Sequence, residues 1–298
     1  MKFGITVPNN WGISDAVEVL NTGPFFEELG YDSLWTMDHL FNIGYIGKRL
    51  DNQPYYHPLA TLSAISTITK TIQLGTSIIV LPYHNPIELA KYAATLDHFS
   101  KGRLILGLGV GSMVEEFAAL GIPMSQRGKL TNENIAIMKE LWANEYPTFK
   151  SSTWSFENVR FSPKPYLKSS IPLWIGGAST GALTRVAKLG TGWHPSGILP
   201  EQYTSGKEQI NRIMEKLDKD TSEIQYSIRL DVSPKSESSN ARHTLSLNGS
   251  DPDQITTKLM EYQRVGADHV IFAISSSNIT EIKTIAETIS NKVFPRFN

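Results

Sequence analysis

The dipeptide Asp-His, which pairs a carboxylate with an imidazole, occurs three times, at residues 38–39, 97–98 and 268–269. An imidazole titrates near neutral pH, and a well-placed general acid or base is worth about 10²–10⁴ in rate. Only the first pair directly follows a short apolar run typical of a strand, Ser33–Thr36. His39 is therefore the predicted catalytic residue, with Asp38 beside it in the site. The alternative is that both side chains only fix a loop through hydrogen bonds.

A glycine-rich turn supplies a second candidate site at residues 107–112, with the sequence GLGVGS. The dinucleotide fingerprint G-x-G-x-x-G would need a glycine at position 112, where the chain has Ser112. Gly109 and Gly111 carry no Cβ, so the backbone here could lie close to a flat ligand. A tight turn between a strand and a helix explains the same glycines equally well.

A third candidate, WIGGASTGAL at residues 174–183, has the order strand, double-glycine turn, small hydroxyl residues, helix. The N-terminus of a helix offers unpaired N–H groups and a positive dipole to an anion. We therefore predict a phosphate-binding turn formed by Gly176, Gly177, Ala178 and Ser179. The spacing G-x-x-x-x-G-K-[ST] is missing, so this is not the loop of a nucleoside-triphosphatase.

Other kinds of chemistry find no support in the sequence. The chain has no cysteine, which excludes disulfides, thiolate zinc sites and cysteine nucleophiles. It has no H-E-x-x-H motif and no pair of histidines four residues apart, so no metal site is predicted. No G-x-S-x-G nucleophile turn occurs either.

These motifs must be positioned by a regular alternation of strands and helices. The β-rich or apolar runs predict eight strands at Lys2–Val7, Ser33–Thr36, Ile72–Leu81, Arg103–Leu108, Leu173–Ile175, Thr191–His194, Gln225–Val232 and His269–Ile274. Helical spacing of apolar residues predicts helices between most of them, at Asp15–Leu29, Pro58–Thr69, Pro86–Phe99, Thr131–Trp142, Gly181–Leu189, Gln202–Lys216, Asp253–Val265 and Ile279–Asn291.

Eight such alternations favour an α/β fold, a (β/α)8 TIM barrel with insertions, in which the active site lies at the carboxyl ends of the strands. The whole chain, residues 1–298, is predicted to be one domain. Two stretches depart from the alternation. The proline- and aromatic-rich segment of about 145–170 is predicted to be an inserted loop or hairpin, and the polar segment of about 233–250 a surface excursion.

The bulk properties limit the possible partners. Lys+Arg number 28 and Asp+Glu 29 among 298 residues, so the net charge of -1 predicts no binding to nucleic acid or to an anionic membrane. The N-terminus is typical of a strand rather than a signal peptide, and no apolar run is long enough to span a bilayer. The expected location is cytoplasmic.

Taken in order, several short segments resemble the bacterial luciferase-like family of flavin- and F420-dependent oxidoreductases. They are residues 30–35, 38–39, 72–77, 96–103, 107–111, 161–165, 174–177 and 192–195. Each segment alone is weak evidence, but their order and spacing together are specific. The match runs from Lys2 to about Pro195, and more weakly to the C-terminus.

The resemblance implies a (β/α)8 barrel whose mouth holds the cofactor ring, with His39 lining the reactive face. It implies a cis peptide bond between Ser77 and Ile78 behind the ring, and the cofactor phosphate on residues 176–179. The predicted cofactor-binding set is Asp38, Ser77, Ile78, Gly109, Gly111, Gly176, Gly177, Ala178, Ser179, Trp193 and His194. Ser112 stands where related sugar-phosphate and alcohol dehydrogenases have a glutamate proton donor, so that dehydrogenase activity does not carry over directly.

The compact length, with the pattern GGAST at 176–180 and GWHP at 192–195, resembles the small F420-dependent branch of this family, so the resemblance implies coenzyme F420 as the cofactor, with FMN as the alternative. The corresponding function is hydride transfer between reduced F420 and a small organic substrate. The FMN alternative is a monooxygenase that uses O₂ and reduced FMN from a separate reductase. A non-catalytic flavin-binding protein and a cofactor-free aldolase or isomerase are further alternatives. The resemblance also implies a homodimer, and cations at 48–49 and at 127 and 129 could meet the anionic tail of F420.

Overall fold

A computed structural model describes residues 1–167, 170–234 and 246–297. Its strands are β1 Lys2–Thr6, β2 Ser33–Thr36, β3 Gln73–Thr76, β4 Ile79–Val80, β5 Leu104–Gly109, β6 Phe149–Lys150, β7 Ser155–Phe156, β8 Leu173–Gly176, β9 Gly192–His194, β10 Gln225–Ser233, β11 Leu247–Asn248 and β12 His269–Ile274. Its α-helices are α1 Ala16–Glu28, α2 Gly44–Leu50, α3 Pro58–Ile68, α4 Pro86–Phe99, α5 Val114–Ala119, α6 Arg127–Ala143, α7 Thr180–Leu189, α8 Pro200–Glu215, α9 Pro252–Arg264 and α10 Ile279–Lys292.

Eight parallel strands close into a barrel. Their order around the barrel is β10, β12, β1, β2, β3, β5, β8 and β9, and the pairing of β9 with β10 completes the circle. Each strand lies at one of the eight places that the sequence predicts, which confirms the (β/α)8 TIM barrel. The apolar strands are buried on both faces because helices cover the outside, as parallel sheets require.

The helices begin where side chains satisfy their first N–H groups. Asn85 precedes α4, and its Oδ1 accepts the amides of Ile87 and Glu88. Pro86 occupies the first helical position, where its missing N–H costs nothing. The same combination of a polar cap and a proline opens α9 after Asp251. Capping of this kind sets the ends of the loops that carry the candidate site.

Aromatic rings fill the interior of the barrel below its carboxyl end. Trp35 and Trp174 lie side by side with ring centroids 5.2 Å apart, and Ile105 and Ile271 pack with them. Glycines make the room: a Cβ at Gly4 or Gly75 would overlap the indole of Trp35, and one at Gly192 that of Trp174. The barrel is therefore a packed core, and a ligand has space only at an end.

Three local features differ from the sequence-based expectation. The predicted strand Ile72–Leu81 is wrong in its continuity, because a cis peptide bond between Ser77 and Ile78 separates β3 from β4 and a 3₁₀ turn follows at Leu81–Tyr83. The short helices α2 and α5 lie in segments with no prediction, and α6 begins four residues earlier than expected.

The two irregular segments have different outcomes. The segment at 145–170 contains an antiparallel hairpin, β6 with β7, in agreement with the expected loop or hairpin. The predicted surface excursion at 233–250 falls mostly outside the described residues. In the part of the chain that the structure describes, no helix is long and apolar enough to cross a membrane.

Candidate active site

His39 lies in the loop after β2, at the carboxyl end of the barrel, and both of its ring nitrogens have partners. Nδ1 is 2.9 Å from Oε2 of Glu116, and Nε2 is 2.9 Å from the hydroxyl of Tyr45. Glu116 belongs to α5, the short helix that follows the turn at residues 107–112. The structure therefore joins the loops after two barrel strands, β2 and β5, at one imidazole.

Glu116 holds this loop as well as the histidine. Its carboxylate is fully buried, and Oε1 accepts the amides of Leu40 at 2.6 Å and Phe41 at 3.1 Å. Burial raises the pKa of this carboxyl, but the hydrogen bonds from His39 and from the two amides outweigh it and lower the pKa below its ordinary value. Glu116 is therefore an anion at neutral pH.

The ionised carboxylate decides which nitrogen of His39 carries the proton. A carboxylate only accepts hydrogen bonds, so Nδ1 of His39 must be the donor to Glu116. In the neutral ring Nε2 is then the acceptor, and it receives the hydroxyl proton of Tyr45. Nε2 is thus the basic atom of the site, and the His39 side chain remains 17% exposed, within reach of a ligand.

Asp38 ties two loops together. Its Oδ2 accepts the amide of Val80 at 3.0 Å and lies 2.8 Å from Nε2 of His84. These contacts hold the chain just after the Ser77–Ile78 bond. The second carboxylate oxygen, Oδ1, is buried and has no hydrogen-bond partner among the described residues. The loop-fixing role considered for Asp38 is therefore what Oδ2 performs, while Oδ1 is open to a further donor.

The cis bond between Ser77 and Ile78 that the resemblance implies is present. The glycines of the neighbouring turn pack directly against this segment. A Cβ at Gly109 would overlap Ile78, and a Cβ at Gly111 would lie 2.5 Å from Val80. Close approach is needed here, as the sequence suggested, but the backbone of the turn approaches protein atoms rather than open space for a ligand.

The predicted phosphate turn is exposed to solvent in the structure. Gly177 has a φ of +90°, which favours glycine, and residues 177–180 are exposed at the start of α7. The Ser179 hydroxyl oxygen accepts the Ala182 amide at 3.3 Å and caps the helix. The other N–H groups of the first turn have no partner within the helix, so an anion could take their place.

Trp193 and His194 do not lie in the open part of the site. The Trp193 ring is fully buried against Tyr203 of α8, and its Nε1 donates to the carbonyl oxygen of Gly177 at 2.8 Å. His194 is 3% exposed, stacks on Trp35, and bonds to a serine at each ring nitrogen. Neighbouring rings enclose both side chains, which therefore lie beneath the predicted phosphate turn and the floor of the mouth.

The floor of the mouth also contains a cation that the sequence analysis did not identify. Arg229 lies in β10, and its Nη1 is 3.4 Å from the carbonyl oxygen of Ser77, which follows β3 on the opposite side of the barrel. The Nε atom is buried without a hydrogen-bond partner. Burial, Arg229 and His269 together lower the pKa of His194 to about 3, so that this imidazole stays neutral beside the guanidinium.

Unsatisfied polar atoms gather at this end of the barrel. Within the described residues, four such atoms are buried and unpartnered: Asp38 Oδ1, Arg229 Nε, Asn10 Oδ1 in the loop after β1, and the Tyr83 hydroxyl in the turn after β4. Buried polar groups are almost always hydrogen-bonded, so these atoms suit a ligand that offers both donors and acceptors. No cluster of three or more His, Asp or Glu in the described ranges could hold a metal ion.

The loop after β2 also borders an open cavity of about 620 Å³. It is lined by Leu40, Phe41, Asn42, Gly47, Asp51, Asn52 and Tyr55. Glu116 binds the backbone of Leu40 and Phe41, so the contact that orients His39 also shapes this wall. Of the cations considered for an anionic tail, Arg49 is engaged with the Asn10 carbonyl oxygen and the Trp11 ring, and Arg127 with the Met124 carbonyl oxygen.

Glu116, Tyr45 and Arg229 are the residues of this site that sequence reasoning missed. No sequence motif assigns a role to Glu116. Its position 77 residues from His39 gave no local signal for the pairing. For Arg229 the sequence does contain a signal, because a charged residue at an inward position of the buried run 225–233 costs free energy unless its charge is paired.

Comparison with known proteins identifies the family to which the chain is similar. Residues 1–267 match the model of a family described as luciferase-like monooxygenases. One relative, the F420-dependent glucose-6-phosphate dehydrogenase of Amycolatopsis mediterranei (strain U-32), is 26% identical over 290 residues, covering 83% of this chain and 85% of the relative. A second with the same name, from Microbacterium testaceum (strain StLB037), is 30% identical over 192 residues, covering 63% and 55%.

Two solved structures share the fold at low identity. The monooxygenase RslO1 from Streptomyces bottropensis has a TM-score of 0.84 at 18% identity, with both chains covered completely. An F420-dependent secondary alcohol dehydrogenase, solved in complex with an F420–acetone adduct, has a TM-score of 0.81 at 18% identity, again with full coverage of both. The family match extends over most of the chain and includes the loops that build the site at His39, so this protein belongs to the luciferase-like monooxygenase family.

Proposed function

We propose that this luciferase-like oxidoreductase uses reduced coenzyme F420 for hydride transfer to or from a small organic substrate. When bound, the deazaflavin supplies or takes up the hydride. The residues present fit such a group: the first turn of α7 suits a phosphate, and the unpartnered atoms of Asp38 and Arg229 suit a polar ring.

The observation that carries the proposal is the polarised His39. Glu116 fixes the proton on Nδ1 and leaves Nε2 as the acceptor facing the Tyr45 hydroxyl. An alcohol substrate that displaces Tyr45 would give its hydroxyl proton to Nε2 as its carbon loses a hydride. In the reverse direction the imidazolium returns that proton to a carbonyl oxygen. The buried Glu116 carboxylate stabilises the positive ring in both cases.

The named activities of relatives support F420 over FMN. The two relatives described above are F420-dependent dehydrogenases, and they share 26% and 30% identity with this chain. Ser112 favours the second candidate, an FMN-dependent monooxygenase supplied with reduced FMN by a separate reductase. It lies exposed at the turn before α5, where the related dehydrogenases have a proton-donating glutamate. In the F420 proposal His39 takes over that task.

The first test is calorimetric titration of the purified protein with oxidised F420 and, separately, with FMN. We expect tight binding of F420 and at least tenfold weaker binding of FMN. The bound F420 is then used to screen small alcohols, ketones, enones and imines for hydride transfer. The reverse preference for FMN would favour the monooxygenase, and binding of neither would overturn the assignment of a cofactor to this mouth.

His39→Ala separates an enzyme from a flavin-binding protein. Loss of a positioned acid or base lowers the rate by about 10²–10⁴, while the cofactor affinity should change only a few-fold. His98→Ala is the matched control, since His98 lies exposed in the last turn of α4, at the opposite end of the barrel. Equal rates in the wild type and in His39→Ala would contradict a catalytic imidazole.

A further inference from the structure

The position of Arg229 adds a detail to the proposed function, namely how this end of the barrel would contact the cofactor ring. Alternate residues of β10 face the interior, as the Ser227 hydroxyl shows by its 2.8 Å contact with the buried His194. Arg229 and Asp231 therefore also face inward, one and two steps closer to the carboxyl end. In the barrel order β10 and β3 are four strands apart, so the contact of Arg229 with the Ser77 carbonyl oxygen crosses the barrel.

The positive charge and the hydrogen-bond donors of the Arg229 guanidinium are only partly paired in the structure. Its Nε has no hydrogen-bond partner, the contact of its Nη1 with the Ser77 carbonyl oxygen is long at 3.4 Å, and the Asp231 carboxylate is 3.7 Å from Nε. The Arg229 side chain is only 22% exposed, and the neutral His194 beneath it adds no negative charge. A half-paired cation in such a place is costly, unless a ligand completes its hydrogen bonds.

We propose that Arg229 pairs with the pyrimidine edge of the cofactor ring and stabilises the reduced state. This inference rests on the proposed function, which places a deazaflavin or flavin ring at this mouth. When such a ring accepts a hydride, a C–H bond of the donor breaks and a new bond to hydrogen forms at the central ring. The pair of the hydride becomes that new bond, and a π pair of the ring would be displaced onto N1 and the C2 carbonyl oxygen, which would then carry the negative charge. A guanidinium that donates to this edge binds the reduced ring more strongly than the oxidised one.

The chemistry makes Arg229 a device for setting the reduction potential rather than an acid or base. An arginine stays protonated throughout the working pH range, so it contributes a fixed charge. His39 and Glu116 handle the proton on one side of the mouth, and Arg229 offsets the negative charge that arrives with the hydride. The two tasks then belong to different strands and can be altered separately.

The test measures the midpoint potential of the bound cofactor, together with separate dissociation constants for its oxidised and reduced forms. F420 and FMN are both used as probes. In Arg229→Gln we expect the reduced form to bind at least tenfold more weakly relative to the oxidised form. For a two-electron couple this lowers the potential by about 30 mV per factor of ten. Arg229→Lys should retain most of the wild-type potential, because it retains the charge.

Two further variants test whether the midpoint potential shifts in the direction that a change of charge requires. Asp231→Asn removes the nearby carboxylate and should raise the potential, a result that a packing role for β10 does not produce. It also serves as the test if Arg229→Gln fails to fold. Arg212→Gln is the matched control, because Arg212 is an exposed arginine of α8 paired with Glu208. Its potential should equal that of the wild type.

The outcomes distinguish this inference from the function on which it rests. If the wild type binds neither F420 nor FMN, the proposed function fails and Arg229 has no ring to meet. If a cofactor binds but Arg229→Gln weakens both redox forms equally and leaves the potential unchanged, only the role of Arg229 is overturned. The role of Arg229 is supported if Arg229→Gln weakens binding of the reduced form more than that of the oxidised form, and if Arg229→Gln and Asp231→Asn shift the midpoint potential in opposite directions.

Discussion

At the scale of single residues, the site depends on a carboxylate that never reaches the mouth itself. Glu116 is fully buried, yet it determines which nitrogen of His39 carries a proton and where the loop of Leu40 and Phe41 lies. One side chain thus sets both the chemistry and the shape of one wall. Its removal should therefore affect turnover much more than it affects cofactor affinity.

Glu116→Gln is expected to lower kcat by about 10²-fold or more, with little change in cofactor binding. The two backbone amides need the remaining oxygen, so the new NH₂ group faces Nδ1 of His39. The ring must then carry its proton on Nε2 and can no longer accept one there. Steady-state kinetics with a substrate from the screen would measure the loss.

Glu115→Gln provides the control for this experiment, because Glu115 is the exposed neighbour on the same helix. It should have wild-type kinetics. An unchanged kcat in Glu116→Gln would show that the tautomer of His39 does not matter for turnover, and it would remove the main argument for the acid–base assignment.

At the scale of elements, the carboxyl end of the barrel depends on glycines in β5, where the segment after β3 leaves no room for a Cβ. A Cβ at Gly107 would overlap the Thr76 carbonyl oxygen, which is backbone and cannot rotate away. Gly107→Ala should therefore destabilise the protein by about 3 kcal/mol, the upper end for overpacking. Urea unfolding followed by circular dichroism would measure this.

Gly181→Ala is the matched substitution within a helix. The nearest atom to a Cβ there is the Ser179 hydroxyl oxygen at 4.0 Å, so the change should lie within about 1 kcal/mol of the wild type. Equal stabilities of the two alanine variants would mean that β5 can move away from β3, and that the close packing is not required.

The element level is also where the sequence was most informative. All eight barrel strands and the main helices were predictable, because long apolar runs alternate with capped amphipathic helices at a regular spacing. The break within Ile72–Leu81 was hidden, since the apolar run continues through Ser77 and Ile78; only the family resemblance indicated it. The helices α2 and α5 have seven and six residues, too few to show a period.

The candidate site was predictable only in part, because local sequence patterns reveal some of its residues but not the long-range pairings between them. His39 could be found because it directly follows a strand at the carboxyl end, a local rule of the fold. Its partners Glu116 and Tyr45 come from other segments, and the crossing of Arg229 to Ser77 joins residues 152 positions apart. Such pairings arise from barrel closure, which no local pattern encodes.

At the scale of the whole molecule, two histidines inside the barrel link stability to pH. Burial lowers the pKa of His194 and of His269 to about 3, with further contributions from nearby cations. Below pH 6.5 the unfolded chain binds two protons that the native state does not. The free energy of unfolding should therefore fall by about 2.5 kcal/mol as the pH falls from 6 to 5.

Urea unfolding at several pH values in this window would test the expectation. His194→Asn should reduce the slope by about half, since one of the two buried imidazoles is gone. His98→Asn, in the exposed last turn of α4, should leave the slope as in the wild type. A slope that is the same in His194→Asn and the wild type would assign the acid sensitivity to other groups.

The paired indoles beneath the mouth have an optical consequence. Trp35 and Trp174 are shielded from solvent, and their rings are 5.2 Å apart directly below the space where a cofactor would lie. A yellow chromophore bound there would take up their ultraviolet excitation by energy transfer and dim their emission. The intrinsic fluorescence of the tryptophans in the barrel core should therefore decrease when a cofactor binds at the mouth, which would allow binding to be followed without an added dye.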